Sequence, residues 1–258
     1  MIRLGVCTAI ENIASVQKYG FDYMETGLAT VSAMDENAFH MAALQVDKAD
    51  IKVEAFNGML PASVRVTGPD VNAQQIHDYL SKAFARAVRL GGKVVVFGSS
   101  AARNVPDGFS MEVAWRQIMN FLRVAEKHAL TAGLTVAIEP LRRAESNIIN
   151  LVTEAVLLAS LAQLPHIRVL GDTYHMAMTS EPLSSFSLAG ELLAHVHICN
   201  SLKRSFPKEG DGEDYRAVFS ALQQAGYDGR VSIEGGCTDF DAEAPEAFRV
   251  LDAARKAV

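Results

Sequence analysis

The sequence is short of several things, and each shortage removes a class of protein. Cysteine is scarce: Cys7, Cys199 and Cys237 are three in 258 residues, far apart and with no CxxC pair. That is neither a disulfide framework nor a thiolate zinc site; the chain reads as one kept in a reducing compartment, with Cys199 and Cys237 as packing residues. Long apolar runs are missing, since none approaches the roughly 18 residues that cross a bilayer. The opening stretch MIRLGVCTAIENIAS also lacks the longer apolar core of a secretory signal, so the expected location is cytoplasmic, with no membrane partner. Positive charge is in deficit, with 24 Lys plus Arg against 30 Asp plus Glu and a net charge of −6. Such a surface repels phosphate backbones, and nucleic acid is not expected as a partner. No low-complexity run or composition shift marks a linker, and a single domain over residues 1–258 is expected.

What is present is a regular alternation. Short runs rich in β-branched and apolar residues fall at Arg3–Val6, Phe21–Glu25, Ile51–Phe56, Lys93–Phe97, Leu134–Glu139, Ile167–Asp172, His195–Cys199 and Val231–Glu234. Several are nearly continuous in Val, Ile, Leu and Phe, which suits parallel strands buried on both faces. The segments between them carry helical spacing. Over 70–90, Ile76, Leu80 and Phe84 recur every four residues before Gly91 and Gly92. Over 110–132, Ser110 is the expected N-cap, and Ile118, Leu122, Ala125 and Ala129 form one stripe ahead of Gly133. Asn150 is expected to cap a helix over 151–163, and a helix over 213–225 stops at Gly226. Eight strand-plus-helix units in about 250 residues are the size of a (β/α)8 TIM barrel in the α/β class. A doubly wound open sheet is the alternative, but GVCTAIENI has no Gly-rich phosphate turn after the first strand.

In such a barrel the C-terminal ends of the strands share one mouth, where chemistry resides. Those ends read Cys7-Thr8, Glu25, Asn57, Gly98-Ser99-Ser100, Glu139, Asp172, His197 and Glu234. Carboxylates and an imidazole crowded into one cavity repel and desolvate one another unless something neutralises them, and a divalent cation does so. Glu139, Asp172, His197 and Glu234 form a mixed oxygen and nitrogen set suited to one Mn, Mg, Co or Zn ion. Each also has a plainer reading: salt-bridge partners for the glutamates, a helix cap for Asp172, a hydrogen-bonded core residue for the histidine. His175 lies one turn beyond Asp172 and can reach the same site. In HVHIC the period of two puts His195 and His197 on one inward face. Glu25 reads either as a group behind the metal or as a buried ion-pair member. Arg103, after the fourth strand, is either a substrate anchor or a surface residue. Lys203, Arg204 and Lys208 lie on a loop that can act as a cationic lid. Met24, Met176 and Met178 read as core or pocket lining.

The motifs IEPLRRAESNIIN, GDTYHM, HVHICN, an R-x-x-P followed by GDGEDY, and GYDGRVSIE give the chain a resemblance. It resembles the xylose isomerase-like TIM barrels of the sugar phosphate isomerase/epimerase superfamily, and within them the ketose 3-epimerases. The resemblance is strongest over residues 93–236. It implies that Glu139, Asp172, His197 and Glu234 hold one divalent metal and that Glu139 and Glu234 are also the acid/base pair. It further implies substrate contacts from His175, from Glu145 in the pattern formed by Glu139, Arg143 and Glu145, and from Arg204, with Lys203 as the alternative. The implied activity is isomerisation or epimerisation of a ketose or keto-sugar, free or phosphorylated, through an enediolate, by a dimer or tetramer. Alternatives on the same fold are an inosose dehydratase-like lyase and an endonuclease IV-like nuclease.

Overall fold

A computed structural model describes residues 1–258. Eight strands run β1 (Arg3–Cys7), β2 (Tyr23–Gly27), β3 (Val53–Asn57), β4 (Val94–Phe97), β5 (Thr135–Ile138), β6 (Ile167–Asp172), β7 (Leu193–Ile198) and β8 (Arg230–Ile233). Each pairs in parallel with its sequence neighbours, and β1 closes on β8, giving a barrel in the order β1 to β8. A closed barrel rules out the open doubly wound sheet. All eight expected strands are present, β6 with the expected bounds and the other seven shifted by one or two residues at one end or both. The second starts late because the Phe21 amide still donates to the Val16 carbonyl of the preceding helix, so pairing begins at Tyr23 opposite Gly5.

The helices form for the reasons the spacing gives. Helix Ala73–Arg89 buries Ile76, Leu80 and Phe84 and is capped by Asn72, which accepts from the Gln75 amide. Helix Met111–Ala132 is capped by Ser110 through the Val113 amide and ends at Gly133, whose φ of 66° is left-handed, a conformation glycine adopts without a Cβ penalty. Helix Tyr215–Gln224 is capped by Asp214. One expected cap is corrected. Helix Val152–Ala162 starts from Leu151, and the Asn150 side chain instead donates to the Leu141 and Ser146 carbonyls. Glu154 takes over the capping role, accepting from the Asn150 and Leu151 amides. No helix is long and apolar enough to cross a membrane.

Most of the core lies between the barrel and its helices in a cluster of 61 buried residues. Truncating one of its large members, such as Leu80 to Ala, costs about 2–5 kcal/mol. Inside the barrel Tyr23, Ala55, Val94, Val96, Ala137 and Leu170 form a separate layer. A Cβ at Gly5 would overlap the Tyr23 ring, so only glycine there lets Tyr23 lie across the lumen. Below it, Glu54 accepts from Arg3 and Arg230 and closes the floor.

Candidate active site

Above that layer, four strand-end side chains converge. One ligand atom each from Glu139, Asp172, His197 and Glu234 lies within 4.8 Å of the others, so the four can hold a metal ion. His197 Nδ1 stands 3.2 Å from Glu139 Oε1 and 3.5 Å from Glu234 Oε2. Asp172 fits both of its readings at once. Its Oδ1 accepts from the Tyr174 amide at 2.7 Å and the His175 amide at 3.4 Å, capping helix Thr173–Met178. Its Oδ2 is buried and has no hydrogen-bond partner, a costly state for a carboxylate oxygen unless a cation or proton meets it. Burial, with Glu234 and Glu139 close by, pushes the Asp172 carboxyl up to about 6. Burial and the same crowding raise Glu234 as well. Glu139 has room only because residue 98 is glycine, since a Cβ there would overlap its Oε2. Glu234 is steadied by Asn57, whose Nδ2 donates to its Oε1 at 2.9 Å.

Around the cluster stand the residues expected to meet a substrate. His175 is 2% exposed; its Nδ1 accepts from the Arg142 amide at 3.2 Å, and its Nε2 lies 3.6 Å from Asp172 Oδ2. Burial lowers its pKa, favouring the neutral ring. Glu145 accepts from Arg142 Nε at 2.7 Å and from Arg204 Nη1 at 3.0 Å. These arginines hold its carboxyl below the usual range despite burial. Arg204 also reaches Glu234 Oε2 at 3.4 Å and lies over the Tyr174 ring at 4.6 Å. Its φ of 48° is left-handed, a strain of about 1–2 kcal/mol for a residue with a side chain, held by the Gly236 amide donating to its carbonyl. Of the two candidate cations, Arg204 is the one in the mouth; Lys203 is exposed.

Other expectations are corrected. Arg103 is neither an anchor nor a surface residue. It is 0% exposed, its guanidinium donating to the Phe97 and Ile149 carbonyls, and burial pulls its pKa down to about 10. It braces the loops after β4 and β5 from behind. Lys208 is outside the mouth and pairs with Glu243 at 2.9 Å. Met178 and Cys237 are exposed, whereas Met24, Met176 and Cys199 are buried. Arg143 points to Asn150, and it is Arg142 that serves Glu145. The roles of Asn57, Gly98, Arg142 and Tyr174 were not predicted, since each depends on a partner from another βα unit or on a close approach.

A family model for the xylose isomerase-like TIM barrel matches residues 13–254. The chain belongs to the xylose isomerase-like TIM barrel family. This xylose isomerase-like chain is 28% identical over 227 residues to an L-ribulose 3-epimerase of Methylomonas sp. (strain DH-1), covering 86% of this chain and 76% of the relative. A second relative, the 3-dehydro-D-guloside 4-epimerase of Escherichia coli (strain K12), is 32% identical over 122 residues, 46% of this chain. That match spans only 45% of the E. coli enzyme. Among solved structures, D-psicose 3-epimerase with D-tagatose from Clostridium cellulolyticum H10 superposes with a TM-score of 0.85 at 19% identity, covering 98% of this chain and 99% of the other. At that identity the likeness speaks for the fold.

Proposed function

We propose that residues 1–258 form one domain acting as a divalent-metal-dependent sugar epimerase or isomerase on a ketose or keto-sugar. The observation that carries this reading is the four-donor cluster, with the buried Asp172 Oδ2 left without a partner. The donor set fits a hard or borderline divalent ion such as Mn, Mg, Co or Zn, held by Glu139, Asp172, His197 and Glu234. Such an ion supplies Lewis-acid polarisation of the substrate carbonyl and its neighbouring hydroxyl.

The proton chemistry belongs to the chain. Glu139 from the end of β5 and Glu234 from the end of β8 reach the same cavity from separate strands. One carboxylate takes the proton from the carbon beside the carbonyl, and the electron pair moves into an enediolate. The other returns a proton to the opposite face of that carbon, which inverts it; return to the neighbouring carbon gives the aldose–ketose isomer. The neutral His175 ring and the Arg204–Glu145 pair are placed to orient hydroxyl groups above the cluster, and the Tyr174 face holds Arg204 in position. The epimerase names of the relatives support this class. Glu25 bonds to both His195 and His197 below the cluster, which favours a one-ion sugar enzyme over a nuclease. Assembly as a dimer or tetramer belongs to the same reading, supported by an apolar groove of about 290 Å³ on the outer helices that Trp115, Met119, Leu157 and Leu161 line.

The test is turnover of a panel of ketoses and 3-keto-glycosides in heavy water by metal-loaded protein, read by NMR. Deuterium is expected at the carbon that is inverted, and Glu234→Gln is expected to lose about 10²–10⁴-fold in rate. Loss of water from the substrate would point to the dehydratase instead. A Glu234→Gln protein with full turnover contradicts the acid/base assignment.

A further inference from the structure

Beneath the four donors a file of buried polar groups runs down the barrel axis. His197 turns Nδ1 up toward Glu139 and Glu234, while its Nε2 lies 2.9 Å from Glu25 Oε1. The other oxygen of Glu25 meets His195 Nε2 at 2.8 Å. That nitrogen lies 3.4 Å from Ser232 Oγ, which is 2.8 Å from the Tyr23 hydroxyl. Glu25, His195, His197, Ser232 and Tyr23 are all 0% exposed.

A carboxylate only accepts hydrogen bonds, so His197 Nε2 carries the proton that Glu25 receives. A neutral imidazole protonated there has its lone pair on Nδ1, the atom that faces the cluster. Glu25 is thus placed to do two things that none of the four cluster donors does: favour the His197 tautomer with Nδ1 free for an ion, and hold the angle of the ring. His195 fills the second oxygen and stops the carboxylate from turning. Burying a carboxylate under several others is costly.

We infer that Glu25 is a positioning residue for His197, aiming its Nδ1 lone pair at the metal, with His195 locking Glu25 in place. This rests on the reading that the cluster binds a divalent ion. A hydrogen-bond partner behind a ligating histidine is typically worth 10–100-fold in metal affinity, and an ion-pair role confined to stability predicts no such effect.

The experiment titrates metal-free protein with cobalt(II) and follows its visible absorption, with circular dichroism to establish folding. Wild type is expected to bind one cobalt(II) per chain. Glu25→Gln, similar in shape, is expected to bind about 10–100-fold more weakly with a shifted spectrum, and His195→Ala to lose less in the same direction. A folded Glu25→Gln with wild-type affinity and spectrum overturns the inference and leaves the four-donor site standing. Should Glu25→Gln not fold, His195→Ala decides: weakened binding with an altered spectrum supports positioning, and unchanged binding overturns it. A wild type that binds no cobalt(II) removes the four-donor site itself, and the inference with it.

Discussion

The two ends of the barrel handle charge in opposite ways. At the floor one carboxylate, Glu54, accepts from two arginines, Arg3 and Arg230, and Asp22 is met by Arg255. These carboxylates have cationic partners within the chain. At the mouth Glu139, Asp172 and Glu234 crowd around His197, and the one arginine in reach is Arg204, which touches Glu234 and is shared with Glu145. The floor is complete as folded, as a part that carries only stability should be. The mouth leaves a buried Asp172 Oδ2 without a hydrogen-bond partner, and it is there that the proposed ion would make good the deficit.

Substitutions at the two ends should therefore separate binding from stability. The largest effect is expected from a matched pair. Gly98→Ala drives a Cβ into Glu139 Oε2 and should weaken metal binding by at least about tenfold, the scale on which disturbing a ligand's surroundings acts, with little change in the metal-free melting temperature. Glu54→Gln should do the reverse, costing about 2–3 kcal/mol of stability, since two guanidinium groups lose a charged partner, while metal affinity stays unchanged. Cobalt titration and thermal melts of both proteins check the pair. Equal effects of both substitutions on affinity would erase the contrast between the ends.

A smaller effect is expected from pH. The Asp172 carboxyl is pushed up to about 6 by burial and by Glu234 and Glu139, from an unfolded value near 3.8. Between about pH 4 and 6 the folded chain thus holds a proton that the unfolded chain has released, and stability falls as pH rises through that window. His197 acts in the same direction: Glu25 and Glu234 overcome its burial and raise it well above 6.5, so its contribution is present below that value and is lost as pH climbs. The metal-free protein should melt higher at pH 5 than at pH 7. Saturating divalent metal should flatten that slope by taking the place of the protons. Melts with chelator and with metal across this range provide the check.

Much of this was legible in the chain because of period and punctuation. Parallel strands buried on both faces write themselves as apolar runs, and a polar residue that ends such a run must stand at the barrel mouth. Glu139, Asp172, His197 and Glu234 were readable in that way, as was the inward pairing of His195 with His197. What was not legible depends on contacts across units. Arg103 sits after a strand just as a substrate anchor would, yet the Phe97 and Ile149 carbonyls draw it inward. Asn150 stands where a cap should, yet two other carbonyls claim its amide. Gly98 matters only because Glu139 leans over it from the next strand. Glu25 offered two readings, and its choice between them depends on which nitrogen of His197 it meets.

The most direct measurement is the metal content per chain of protein purified without chelator, by mass spectrometry, beside Glu234→Ala. One divalent ion per chain in the wild type, lost or weakened in the variant, is the predicted result. A wild type without metal, even after reloading, would contradict the account at its centre and leave only the barrel.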